Sequence, residues 1–206
     1  MKNYNFHKLQ KDLLNFCALD LSSFYFDIRK DVLYCDDLSS KKRKSCVDLL
    51  SIILECLLKW YAPVLSFTTE EITDLTQKGK KISIHEENFP EVSDNWKNES
   101  LYQKWEKLLY VRQQVNIAIE EKRSAKIIGS SLEADIEIAL PKNEFDHLQK
   151  TDAKELFITS NVTQNVAKEN KISVIVKKAK GTKCSRCWKI VEKVEDKKCS
   201  RCLEIK

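Results

Sequence analysis

The nine residues LEADIEIAL (residues 132–140) alternate strictly, with Ala134, Ile136, Ile138 and Leu140 on one side and Glu133, Asp135 and Glu137 on the other. A period of two with one apolar face is the pattern of a half-buried β-strand. This stretch marks where the chain changes character. Before it, apolar residues recur every three to four positions. After it come two more strand candidates, ELFITS (155–160) and KISVIVKKA (171–179), with a short helix expected around Phe145 to Gln149. The expected fold is mainly α: a helical bundle over 1–123, a small α/β unit over 124–180, and a four-cysteine knot over 181–206.

Working back from the strand, a helix of about residues 95–123 should carry Leu101, Trp105, Leu108, Val115 and Ile119 on one face. TTEEI (68–72) has the spacing of a capping box, Thr68 with Glu71, and Gly79 would close that short helix. The helix before it presents Val47, Leu50, Ile53, Leu54, Leu57, Leu58 and Tyr61. It must stop near Ala62, because Pro63 follows. Ser39 or Ser40, in the break DDLSSKKRKS (36–45), could cap its start. Residues 12–31 show a three-four rhythm through Leu13, Phe16, Cys17, Leu21, Phe24 and Ile28, which predicts another α-helix.

Working forward, KCSRCWKIVEKVEDKKCSRC (183–202) holds Cys184, Cys187, Cys199 and Cys202 as two CxxC pairs separated by eleven residues. Two residues between cysteines let both sulfurs reach one ion while backbone N–H groups of the turn point at the thiolates. Two such pairs complete a closed tetrahedral zinc site with no place for a catalytic water. A structural zinc is expected; a redox pair or an iron–sulfur cluster are the alternatives this spacing leaves open. Zinc would also supply folding energy to a tail with almost no apolar core. Cys17, Cys35, Cys46 and Cys56 are isolated, mostly on apolar helix faces, and read as buried small hydrophobes. Arg186 and Trp188 flank Cys187 on the first knuckle. An arginine beside an aromatic ring suits unpaired bases. The plainer expectation from spacing is that Trp188 packs over the loop and Arg186 lies in water.

Composition narrows the function classes. The 206 residues carry a net charge of +5, and residues 177–206 alone carry eleven Lys/Arg against four Asp/Glu, leaving a small negative balance elsewhere. A four-thiolate zinc site lowers the tail's charge by about two. A compact basic terminus suits a polyanion such as nucleic acid, although a solvated lysine-rich surface would look the same. No apolar run reaches the roughly 18 residues of a membrane span, and the N-terminus lacks signal-peptide features. A cytoplasmic chain with reduced thiols is expected. His7, His85 and His147 are scattered singletons, and neither GxxxxGK[ST] nor GxGxxG occurs. On its own residues the chain is not expected to be a catalyst.

Four stretches, in order, carry a resemblance: LSSFYFDIRKDVLYCD, KKRKSCVDLLSIILECLLKWYAPVLSFTTEEI, VRQQVNIAIEEKRSAKIIGSSLEADI and KCSRCW with CSRC. Together they resemble the C-terminal part of bacterial isoleucyl-tRNA synthetase, essentially from end to end of the chain. The resemblance implies an anticodon-binding helical bundle, an α/β junction and a zinc module reaching the anticodon loop of tRNA(Ile). It implies Cys184, Cys187, Cys199 and Cys202 as zinc ligands, and Arg186, Trp188 and Lys30 as tRNA contacts. Val32 stands where the family commonly has arginine. Asp27, Tyr34 and Trp60 also match, with helix packing as their plainer role. Neither the His-Ile-Gly-His nor the Lys-Met-Ser-Lys-Ser signature of class I synthetases is present. ATP, catalysis and editing would belong to other domains of a monomeric ligase, with this chain an expressed fragment or a split gene product. The rival expectation is a stand-alone structural or adaptor zinc protein with non-specific RNA affinity.

Overall fold

The computed structural model describes residues 5–76 and 82–205, and Gly79, the expected helix stop, lies outside them. The chain is mostly helical, with a three-stranded sheet, a two-stranded hairpin and a C-terminal cluster of four cysteines. Its described residues form two compact units. One draws on Met1–Asp27 and Leu38–Lys97, the other on Ile28–Asp37 and Asn98–Lys206.

The first unit begins with α1 (Phe6–Asn15), whose Asn5 side chain accepts from the Lys8 N–H at 3.1 Å. The expected α-helix does not continue: Phe16–Phe26 is π-helical, and α geometry resumes in α2 (Asp27–Cys35). The Ser23 hydroxyl follows the wider turn, donating to the Ala18 carbonyl five residues back at 2.8 Å. The apolar positions Phe16, Cys17 and Leu21 suit a five-residue return as well as a four-residue one, so periodicity could not separate the two. Leu21 is buried, and Phe16, Cys17 and Phe24 are half-buried.

The helix α3 (Lys41–Tyr61) starts at Ser40, whose hydroxyl accepts from the Arg43 N–H at 3.4 Å, and stops at Ala62 ahead of Pro63 as expected. The chain turns at once, with the Leu65 N–H bonding to the Tyr61 carbonyl at 2.7 Å, and α4 (Ser66–Thr76) follows. Thr68 is therefore inside the helix and the expected capping box does not form. Threonine hydroxyls satisfy themselves on the helix instead: Thr69 donates to the Leu65 carbonyl and Thr73 to that of Thr69, which lets both be buried. Leu58, Ala62 and Ile84 make a small core with Ile72. Glu70 holds the incoming loop by accepting from the Ser83 hydroxyl and the Ile84 N–H.

In the second unit, Asn98 caps α5 (Glu99–Ser124), accepting from the Leu101 N–H at 2.9 Å. The helix thus begins later than expected, and Asp94–Trp96 is a separate 3-10 turn. Leu108, Val111, Val115 and Ile119 form its buried stripe. The strand β1 (Ala134–Leu140) alternates as its sequence requires, with Ala134, Ile136, Ile138 and Leu140 fully buried. It is followed by α6 (Lys142–Gln149) and α7 (Ala153–Phe157). The ELFITS segment is not a strand. Asp152 caps α7 by accepting from the Glu155 N–H, and Leu156 and Phe157 enter the core from the helix. A local cap outweighs the β preference of Phe-Ile-Thr here. The strand lies just beyond, in the polar NVTQNV of β2 (Asn161–Val166), whose weak alternation hid it.

The third strand, β3 (Ser173–Lys178), completes the sheet in the order β2-β1-β3, with β2 parallel and β3 antiparallel to β1. The central strand is therefore the one with the strongest apolar face. Arg112 on α5 ties the helix to this layer by donating to the Leu156 carbonyl at 2.9 Å. Ile138→Ala should destabilise the second unit by about 2–5 kcal/mol, the range for truncating a fully buried aliphatic side chain. Urea unfolding followed by circular dichroism checks it.

Candidate metal centre and its knuckle

The cysteine knot is built on a short hairpin, β4 (Thr182–Lys183) and β5 (Ile190–Val191), and a terminal turn of helix, α8 (Ser200–Glu204). Gly181 leads into it at φ +129°, where an added Cβ would lie 2.3 Å from the Val191 carbonyl oxygen. Only glycine fits so close a backbone approach. The Cys184 N–H bonds to the Lys189 carbonyl and the Trp188 N–H to that of Cys184, closing the first knuckle. The Ser185 N–H reaches across to the Lys197 carbonyl, joining the two knuckles.

The four sulfurs of Cys184, Cys187, Cys199 and Cys202 lie within 4.8 Å of one another, and all four residues are buried. Cys187 Sγ and Cys199 Sγ are 3.8 Å apart. A tetrahedron of sulfurs at the Zn–S bond length of about 2.3 Å has edges of about 3.8 Å, so the donor set fits such an ion. The Cys199 N–H donates to Cys184 Sγ at 3.3 Å. Burial pushes the Cys184 thiol up, but backbone N–H groups of Cys187, Cys199 and Arg186 outweigh it and bring it down to about 6. Burial raises Cys187 and Cys202. Unlike charges therefore have to be supplied by a cation before all four can be thiolates together.

Cys35, expected as a buried small hydrophobe, is buried against this same sulfur cluster, with Val191 beside it. Its thiol points at the Arg186 carbonyl, 3.8 Å away. Cys46 is also buried, whereas Cys17 and Cys56 are half-buried. The knot is fastened on two sides. Ser160, buried in the loop before β2, accepts from the Ile190 N–H at 2.7 Å and donates to the Leu132 carbonyl at 2.5 Å. On the other side Asp31 of α2 accepts from Arg201 and Lys189. Burial raises the Asp31 carboxyl, but the hydrogen bonds and charges of Arg201 and Lys189 prevail and hold it at about 2. Its contribution to stability is therefore complete above about pH 4 and lost as pH falls toward 2.

Trp188 stands out from the knuckle, 59% exposed, rather than packing over the loop. Its backbone is left-handed (φ 63°), a placement costing on the order of 1–3 kcal/mol for a large residue. The Lys183 ammonium lies 5.8 Å from its ring centroid, within cation–π range. Arg186 is half-buried and donates to the Ile205 carbonyl at 3.2 Å, so its guanidinium is not simply in water. Lys30 is exposed on α2, in the same unit as the knot. Tyr34, one turn further on, is 75% exposed, against the packing role expected for it. Trp60 and Asp27 are half-buried and Val32 is buried. Asp31, Lys189, Arg201, Ser160 and Lys183 were not singled out by sequence. The only signal for the first three was charge, an acidic DVLYCDD facing a basic tail.

A family model described as the anticodon-binding domain of tRNA ligase matches residues 1–138. The chain belongs to that family. It is 51% identical over 189 residues to an isoleucine–tRNA ligase of Pelagibacter ubique, covering 92% of this chain and 21% of the ligase. It is 40% identical to the isoleucine–tRNA ligases of Agrobacterium fabrum and of Methylacidiphilum infernorum, each over 91% of this chain and 20% of the relative. The chain thus spans about a fifth of the length of these relatives. No described helix is long and apolar enough to cross a membrane.

One soft divalent ion per chain is expected by elemental analysis. Cys202→Ser should release it at chelator concentrations that the parent chain withstands. Equal resistance in the two proteins would rule out the four-sulfur site.

Proposed function

We propose that this chain is the anticodon-recognising part of an isoleucine–tRNA ligase and that it contacts the anticodon stem and loop of tRNA(Ile). The observation that carries this reading is a Trp188 ring held out from a four-cysteine knuckle in a chain of the anticodon-binding family. Zinc held by Cys184, Cys187, Cys199 and Cys202 would be structural, since four cysteines fill a tetrahedral shell. Left-handed backbone at Trp188 turns the side chain outward, and burial of the neighbouring cysteines keeps the knuckle rigid. A ring presented this way can stack an unpaired base, with Lys183 beside it to meet the phosphate of the same nucleotide. Arg186 would read or orient a base edge after exchanging its bond to the Ile205 carbonyl for one to RNA. Lys30 would supply a phosphate contact.

In this reading residues 1–123 serve as the anticodon-binding bundle, 124–180 as a junction and 181–206 as the zinc module. The chain itself carries no catalytic site. ATP-dependent charging of the tRNA belongs to the catalytic domain of the whole ligase, a monomeric cytoplasmic enzyme. A stand-alone structural protein is the second reading, favoured by the Ser160 bond to the Ile190 N–H, through which the knot also caps the α/β layer. That role alone requires no exposed tryptophan and predicts no preference among tRNAs.

Trp188→Ala should weaken binding of the isoleucine anticodon stem-loop by about 1–3 kcal/mol, as loss of a base stack does. Affinity should also fall as salt is raised. Filter binding against a stem-loop of unrelated anticodon measures both. Equal affinity of parent and variant, or equal affinity for the two RNAs, would exclude the anticodon role.

A further inference from the structure

Asp31 occupies a position that the recognition of RNA does not by itself explain. Its Oδ1 accepts from Arg201 Nη2 at 2.7 Å, and its Oδ2 from Arg201 Nη1 at 2.8 Å and from Lys189 Nζ at 3.0 Å. Arg201 lies inside the second cysteine pair and Lys189 two residues past the first, so one carboxylate grips both halves of the knot. Asp36 adds a weaker bond to Arg201 at 3.4 Å. Cys35, one turn beyond Asp31 and on the same face of α2, is buried beneath the Arg186 carbonyl. A bidentate arginine–carboxylate pair fixes orientation as well as distance.

This arrangement also sorts the basic residues of the tail. Lys189 and Arg201 spend their charge on Asp31 and are poor candidates for phosphate contact. The same helix also presents residues to solvent. Lys30 precedes Asp31, Tyr34 precedes Cys35, and both are exposed. The helix therefore holds the knot through Asp31 and Cys35 while carrying an exposed lysine and an exposed aromatic ring.

We propose that Asp31 is a positioning residue for RNA recognition. By clamping Lys189 and Arg201 it seats the knuckle that carries Arg186 and Trp188 beside the helix that carries Lys30 and Tyr34, so that single-stranded RNA meets one fixed surface. This inference rests on the RNA-binding reading above, and Tyr34 is its added contact, a second ring for a neighbouring base.

The test uses the full metal-loaded chain and the variants Asp31→Asn, Asp31→Glu and Trp188→Ala. Alkylation of Cys35 by iodoacetamide, located by peptide mass spectrometry with Cys17 and Cys56 as internal references, reports whether the knot is seated. Asp31→Asn should keep one metal ion per chain, label at Cys35 about tenfold faster and bind the stem-loop about tenfold more weakly. Asp31→Glu, which keeps the charge, should fall between the parent and the Asn variant in both readouts. It also keeps the test open should the Asn variant fail to fold. Unchanged Cys35 labelling, loss of the metal, or a Glu variant no better than Asn would each overturn the clamp. Faster labelling with unchanged RNA affinity, while Trp188→Ala still weakens it, would overturn the positioning role. Unchanged affinity in both Trp188→Ala and Asp31→Asn would overturn the RNA reading itself.

Discussion

From Lys180 to the end of the described chain, the buried side chains are four cysteines. That shortage of apolar mass is the constraint on which the C-terminal part of the structure depends. A segment this short cannot offset the entropy of ordering its backbone by hydrophobic burial. Its four sulfurs are gathered into a cluster that a cation can hold together, and its outer surface is fastened by polar contacts. Ser160 and Asp31 supply those contacts, one toward the sheet layer and one toward α2. Where a larger domain would use a packed core, this one uses a cluster of four sulfurs, one hydroxyl and the carboxylates of Asp31 and Asp36.

In the proposed RNA-binding role, the same constraint connects folding to recognition. Beside the buried cysteines, the knuckle keeps Trp188 exposed in left-handed backbone, its N–H bonded to the Cys184 carbonyl. The cost is borne where rigidity is useful. In the proposed role, an aromatic ring that is already oriented would lose little freedom if a base stacked on it, and the Lys183 ammonium lies 5.8 Å from its centroid. The basic excess of the tail is not spread evenly in effect, because two of its cations are turned inward onto Asp31.

The second unit joins residues far apart in sequence around a conventional core. The central strand β1 is fully buried on its inward face, and the sheet is packed by α6 on β1 and β2, α5 on β3 and α7 on β2. The segment Ile28–Asp37 belongs with this layer and the knot rather than with the helices on either side of it in sequence. Arg29 holds Glu155 at 2.5 Å while Asp31 holds the knot, so the two ends of the same helical turn address different partners.

Local rules were sufficient for much of the chain. Strict alternation determined β1, Ser40 and Pro63 bounded α3, and two CxxC pairs determined which sulfurs come together, because each depends on neighbours a few residues away. Local rules also misled where two of them competed. The Asp152 cap overrode a β-rich segment, an immediate turn after Pro63 removed the Thr68 capping box, and a five-residue return replaced an α-helical one at Phe16–Phe26. What only the tertiary structure decided is the company each charge keeps. Asp31 and Arg201 are 170 positions apart, and nothing in the spacing of either pairs them. Their meeting is set by how the knot lies on α2, and a Coulombic partner chosen by three-dimensional proximity leaves only a faint trace in a one-dimensional string.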